Sequence, residues 1–271
     1  MFYLKMSDNT KIAVYDCNPQ ARETILLIHG WPLSEKIFEY QKEPLLDRGY
    51  RVVTLDLRGF GNSDTPAGGY CYDRMATDIY EVIRHLGLHS FIMAGFSMGG
   101  AIALRYMRLF NGYGVNKLML WAAAAPRWIK APDFPGGLEP EAVESLITLA
   151  QTDRAQLARN FSHNQLFASP QSSAIKDWFE DIALSASGYA TVKTALALRD
   201  EDGRGDLKYV MVPTAIFQGE RDDVVPRELT MYQYRNIRGA VLYSFAHSGH
   251  GIFYDELAKF NAAMLQFLAD Y

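Results

Sequence analysis

The chain has few cysteines, no long apolar run and no block of one charge. Cys17 and Cys71 are the only cysteines among 271 residues, far apart and in no metal-ligand spacing. A disulfide framework is therefore not expected, and a reducing cytoplasm is the expected setting. No stretch approaches the ~18 uninterrupted apolar residues that suggest a membrane span. The 27 Lys and Arg are outnumbered by 31 Asp and Glu, giving a net charge of −4. The basic residues form no cluster, so no nucleic-acid partner is expected. The opening MFYLKMSDNT has no basic segment followed by an apolar run, so no signal peptide is expected. No repeat or low-complexity tract occurs. The six histidines lack H-E-x-x-H spacing, and no Gly-rich phosphate loop follows the first strand. No metal or organic cofactor is expected on that basis.

What is present is apolar and aromatic: 49% hydrophobic residues and 13% aromatics, enough for a sizeable core. Short apolar runs alternate with longer helical patterns in the first half. TILLIH (24–29), RVVTLDL (51–57), SFIMAG (90–95) and KLMLWA (117–122) read as strands. Residues 72–88 place Met75, Ile79, Val82, Ile83 and Leu86 on one helical face. A further helix is predicted over EKIFEYQKEPLLDRGY, interrupted at Pro44. Strands alternating with helices predict a mostly parallel sheet flanked by helices. FYLK and KIAVYD, separated by SDNT, predict an antiparallel hairpin at its edge.

The rhythm changes near Pro126. From 126 to 206 four amphipathic helical patterns occur and no convincing strand. The segment opens on APDFPGG and ends on RDEDGRGD. Strands resume at VPTAIFQG (212–219) and AVLYSF (240–245), followed by a closing helix. The predicted organisation is an α/β core over 1–125 and 207–271, with a helical cap inserted over 126–206.

AGFSMGG (94–100) carries the strongest chemical signal. Gly95-Phe96-Ser97-Met98-Gly99 fits G-x-S-x-G between a strand and a helix, the setting of a nucleophile elbow. Gly95 and Gly99 remove side chains where strand and helix approach. A serine hydroxyl needs a base to take its proton. His247 and His250, in FAHSGHG after the last strand, are the candidates at the carboxyl edge of the sheet. His250, between two glycines, is favoured. His29 is expected to pack beneath its turn, and His163 to lie on the cap. The base needs an acid. FQGERDDVVP offers Glu220, Asp222 and Asp223, and a short loop can aim only one inward.

These residues resemble the α/β-hydrolase superfamily over nearly the whole chain. More narrowly, HGWPLS, GYRVVTLDLRGFGNSD, AGFSMGG, GERDDVVP and HSGHG resemble the bacterial cofactor-free haloperoxidase, perhydrolase and arylesterase group, which also includes a γ-lactamase. The resemblance implies an α/β-hydrolase fold and an acid at Asp222, framed by Gly219 and Pro226. It supports the base at His250. The loop from Arg58 to Asp64 is expected to be structural. SGHGIFYDE departs from the Pro-His-Gly more usual in this group, and the cap matches less clearly than the core.

The implied reaction is ester hydrolysis through an acyl-enzyme on Ser97. Oxyanion donors are expected at the backbone N–H of Met98 and of Trp31. Pro32 has no N–H and restricts Trp31, so Trp31 is the expected donor in the loop after the third strand. Its carbonyl is expected to accept from attacking water or peroxide. Substrate contacts are expected at Trp31, Phe96, Trp128 and Phe161. The partner is a small ester, and homo-oligomerisation is left open. A lactonase or lactamase on the same triad is the alternative. A non-catalytic binding protein on this fold is the remote one.

Overall fold

Every residue of Thr24–Ile28 is buried. Ile25 and Leu27 enter one apolar cluster, Leu26 and Ile28 another. Side chains alternate across a strand, so this strand must lie inside a sheet covered on both faces. The computed structural model describes residues 1–271 and shows that arrangement. Eight strands, β1 (Phe2–Lys5), β2 (Lys11–Cys17), β3 (Thr24–Ile28), β4 (Arg51–Leu55), β5 (Phe91–Phe96), β6 (Val115–Trp121), β7 (Thr214–Gly219) and β8 (Val241–Phe245), pair in the order β1-β2-β4-β3-β5-β6-β7-β8. β1 and β2 form the antiparallel edge, and β2 also runs antiparallel to β4. The remaining pairs are parallel.

β3 lies between β4 and β5, with its chain leaving toward β4 while the later strands build away on the other side. The loops after β3 and β5 therefore diverge at a crevice, the place where sheets of this kind bind ligands.

In the core, α1 (Glu39–Asp47), α2 (Tyr72–His85) and α3 (Met98–Leu109) follow successive strands. The expected interruption at Pro44 does not occur. A 3-10 turn, Glu35–Phe38, precedes α1, and α1 runs through Pro44. A proline there deprives the carbonyl four residues earlier of its donor. That carbonyl, on Tyr40, instead accepts from Asn261 Nδ2 at 3.0 Å. A partner 221 residues away in sequence thus lets the helix continue.

Between β6 and β7 lie α4 (Pro140–Thr152), α5 (Arg154–Asn160), a π turn (Phe161–Gln165), α6 (Ser173–Leu184) and α7 (Gly188–Asp200). Two isolated bridges are the only β pairing in this stretch. α8 (Arg227–Asn236), α9 (Ile252–Asp255) and α10 (Leu257–Asp270) complete the chain. No helix is long and apolar enough to cross a membrane.

Charge pairs fix the loops around this frame. The Arg58 guanidinium, with no exposed side-chain surface, grips both oxygens of buried Asp78 at 2.6 and 2.7 Å. Arg105 joins Asp73 of α2 to Glu201 and Asp206 beyond α7. Breaking such a buried pair by deleting one partner strands the other charge, which typically costs about 3–5 kcal/mol.

Candidate active site

β5 ends at Phe96 and α3 begins at Met98, so Ser97 alone makes the turn. Its φ of 53° and ψ of −119° lie outside the basins an L-residue favours. Such a conformation persists only where its surroundings over-determine it. Here the Ser97 N–H donates to Trp121 O at 2.9 Å, and its carbonyl accepts from Gly100 and Ala124, each at 3.0 Å. A Cβ at Gly95 would fall 2.5 Å from Gly99 O, and one at Gly99 2.3 Å from Ile28 O. Both glycines are thus required by backbone approach.

The loop after β3 lies directly against this turn. A Cβ at Gly30 would stand 2.7 Å from Ser97 Cβ. His29 sets the loop's orientation. Its Nε2 accepts from the Leu57 N–H at 2.9 Å, so Nδ1 carries the proton of the neutral ring and donates to Gly30 O at 2.9 Å. Complete burial holds the His29 pKa below its ordinary value, keeping this neutral form. Gly30 O also accepts from Leu33 N–H at 3.0 Å. The Gly30–Trp31 peptide is trans, so the Trp31 N–H points opposite to that carbonyl. It has no hydrogen-bond acceptor in the protein, and neither has the Trp31 carbonyl a donor. Met98 is the first residue of α3, so its N–H has no acceptor within the helix.

Asp222 and His250 meet from two loops at the carboxyl edge. Asp222 Oδ1 accepts the N–H groups of Val224 at 2.9 Å and Val225 at 2.8 Å. This leaves Oδ2 for His250 Nδ1, 2.9 Å away. Neither side chain has any exposed surface. His250 Nε2 has no partner, and no hydrogen bond joins it to Ser97. This contact is often long in unliganded enzymes. The rival side chains point elsewhere. Glu220 is exposed and accepts from Ser244 Oγ. Asp223 is exposed and in no ion pair. His247 is exposed, with Nδ1 3.5 Å from Arg221.

The four residues expected to contact substrate separate into two groups. Phe96 and Phe161 pack against His250, with ring centroids 4.7 and 6.4 Å away. Trp128 instead donates its indole N–H to Val224 O at 2.8 Å, bracing the Asp222 loop. The Trp31 indole donates to Thr191 O of α7 at 2.9 Å and is buried. Its polar end therefore binds the protein itself.

The segment between β6 and β7 closes over both loops. α7 contacts Trp31, and the Ser187 N–H donates to Gly59 O at 2.9 Å. Leu166 O, just past the π turn, accepts from Gly251 N–H at 2.6 Å. Five surface cavities of 380–610 Å³ are lined by none of Ser97, Asp222 or His250. Ser97 is only 6% exposed.

Sequence reasoning missed two parts of this arrangement. His29 is expected beneath its turn, but its tautomer is set by the N–H it accepts from Leu57 of another loop. Asp255 and Glu256, in the SGHGIFYDE stretch, carry no recognisable motif yet bind the histidine loop. Away from this constellation, His163 Nε2 lies 3.0 Å from Glu180 and 3.2 Å from Asp177. This is the only cluster with metal-ligand proximity. Arg159 already stands 3.4 Å from the same Glu180 oxygen.

Residues 23–257 match the family model described as the alpha/beta hydrolase fold. The chain belongs to that family, and it is a hydrolase. It is 42% identical over 98% of both chains to the AB hydrolase superfamily protein YisY of Bacillus subtilis. An esterase from Exiguobacterium antarcticum superposes with a TM-score of 0.95 at 39% identity, covering 98% of each chain. A bromoperoxidase from Bacillus anthracis gives 0.91 at 31% identity over 96% of each. A bifunctional esterase/perhydrolase from Acinetobacter calcoaceticus is 27% identical over 99% of both chains. The resemblance to the esterase and non-haem haloperoxidase group therefore holds over the full length.

Proposed function

We propose that the protein is a serine carboxylesterase for small acyl or aryl esters. Ser97 is the nucleophile, His250 the base and Asp222 the acid that orients it. The observation that carries this reading is the buried 2.9 Å pair between His250 Nδ1 and Asp222 Oδ2, with Nε2 left without a partner. With Nδ1–H held by Asp222, the Nε2 lone pair is the one available to take the serine proton. Ser97 Oγ attacks the ester carbonyl as His250 removes its proton. The oxyanion is held by the Trp31 and Met98 N–H groups. Losing one such donor typically lowers the rate ~100- to 1000-fold. His250 returns its proton to the leaving alkoxide, then activates water to release the acid. Residues 126–206 act as the cap that sets substrate size, with Phe161 facing the histidine ring.

Perhydrolysis is the second reading, and the unpartnered Trp31 carbonyl favours it. That oxygen is available to accept a hydrogen bond from peroxide attacking the acyl-enzyme. The esterase/perhydrolase relative is compatible with this chemistry.

A serine-directed fluorophosphonate tests the primary reading. Folded wild type should be labelled at Ser97, and Ser97→Ala should be neither labelled nor active on short p-nitrophenyl esters. Absence of labelling overturns the esterase reading. Faster turnover of lactones or lactams than of every ester chain length would replace it with the alternative on the same triad.

A further inference from the structure

Asp255, at the end of α9, lies five residues beyond His250 and accepts four hydrogen bonds. Oδ2 takes the Gly249 N–H at 2.7 Å and the Ala168 N–H at 2.9 Å. Oδ1 takes the Ser169 N–H at 3.1 Å and Gln171 Nε2 at 3.3 Å. One donor is the N–H of Gly249, the residue before His250. The other three belong to the segment that follows the π turn. We propose that Asp255 is a positioning residue that fixes the His250 loop against the covering segment, so that one carboxylate holds both the segment over the site and the alignment of the base. The inference rests on the reading of His250 as the base.

Three further observations support it. The peptide on the other side of His250 is tied to the same segment, through Gly251 N–H and Leu166 O. Ser169 Oγ also donates to His247 O at 2.7 Å. The contact depends on glycine. A Cβ at Gly249 would lie 3.0 Å from Ala168 N, and one at Gly251 2.8 Å from the Phe167 ring. His250 is thus flanked by the two residues that let the covering segment reach the backbone.

All four partners of Asp255 are donors, so only the ionised carboxylate satisfies them. Burial raises the Asp255 pKa, while the N–H groups of Ala168, Gly249 and Ser169 pull it down; burial prevails. The fold therefore bears a desolvation cost to keep a carboxylate here. The neighbouring Glu256 completes the hold on the loop, accepting His247 N–H at 2.9 Å and Ser248 Oγ at 2.8 Å. Other charged groups near the loop are Arg221, beside His247, and Lys259, 3.3 Å from Glu256. Neither contacts Asp255.

Asp255→Asn and Asp255→Glu are compared with Gln171→Ala and wild type on a short p-nitrophenyl ester. A misplacement near 1 Å typically lowers turnover ~100-fold. Asp255→Asn, whose amide turns one donor toward the N–H groups, should lower kcat ~10- to 100-fold with KM nearly unchanged. Asp255→Glu should recover part of kcat, because it keeps an acceptor-only head. Gln171→Ala, which leaves Gly249 held, should change kcat by less than about threefold. The proposal is overturned if Asp255→Asn keeps wild-type kcat, or if its loss appears only in KM. Should Asp255→Asn not fold, the Asp255→Glu and Gln171→Ala kcat values decide: equal values overturn the proposal. Failure of the underlying reading is distinct, since His250→Ala would then retain esterase activity whatever Asp255 does.

Discussion

The His29 ring and the Gly30 carbonyl are joined by a 2.9 Å hydrogen bond that turns the next N–H, that of Trp31, the opposite way. The imidazole acts as a neutral spacer between two loops, accepting from Leu57 on one side and donating to Gly30 on the other. Protonation would place a hydrogen where the Leu57 N–H already points.

The first prediction concerns acid stability. The folded pKa of His29 lies below its unfolded value near 6.5, because burial penalises the charged ring. The unfolded chain binds more protons on the acid side, so this group's contribution is present above pH 6.5 and is lost as pH falls. His29→Ala should be less stable than wild type at pH 7.5, and the gap should narrow toward pH 5. Urea unfolding at several pH values measures it. A gap independent of pH would show that His29 does not titrate on unfolding.

Asp222→Asn should leave the fold intact and lower kcat on an ester by about 10⁴-fold. The Asn amide retains an acceptor for one neighbour but no longer favours the Nδ1–H form of His250 or its imidazolium. Steady-state kinetics with a fluorophosphonate titration of active sites checks this. A loss below tenfold would remove Asp222 from the proposed mechanism.

Gly30→Ala should cost turnover through geometry alone. Its Cβ would meet Ser97 Cβ at 2.7 Å and Phe96 O at 3.0 Å, so the loop must withdraw from the elbow. The Trp31 N–H withdraws with it. The expected fall in kcat is ~100-fold, with binding of the substrate ground state little changed. Unchanged kcat would show that this loop supplies no oxyanion donor.

Pro32→Leu should alter how the acyl-enzyme chooses between peroxide and water. The substitution adds an N–H at position 32 and frees the backbone of Trp31. The ratio of peracid to carboxylic acid product should fall. A ratio equal to wild type over a range of peroxide concentrations would detach the Trp31 carbonyl from that choice.

Much of the fold is legible in the sequence. Uniformly apolar β3 and β5 announced a sheet buried on both faces, and period-3.6 patterning announced α2 and the four helices after β6. Pro44 was misleading because the donor that satisfies Tyr40 O comes from Asn261 near the far end of the chain. Asp78 sits among apolar residues of α2; Arg74 of the same helix pairs with one of its oxygens, but the grip on both comes from Arg58 of another loop.

The sequence by itself determined the elbow at Ser97, since a serine between glycines at a strand-to-helix junction has few structural explanations. It also narrowed the proposed base to two histidines and the proposed acid to three carboxylates, because the linear order limits which loops can meet. Tertiary structure decided which of them are paired and buried. The Val224 and Val225 N–H groups turn one Asp222 oxygen away and leave the other for His250, while Glu220, Asp223 and His247 remain in solvent. It alone decided the tautomer of His29, the anchoring of the Trp31 indole on Thr191, and the meeting of Asp255 with residues 168–171. Those contacts join segments from 28 to 160 residues apart in sequence, or turn on backbone N–H groups that every residue type but proline carries. No local pattern encodes them, because hydrogen-bond geometry is settled only when the sheet has brought its loops to one edge.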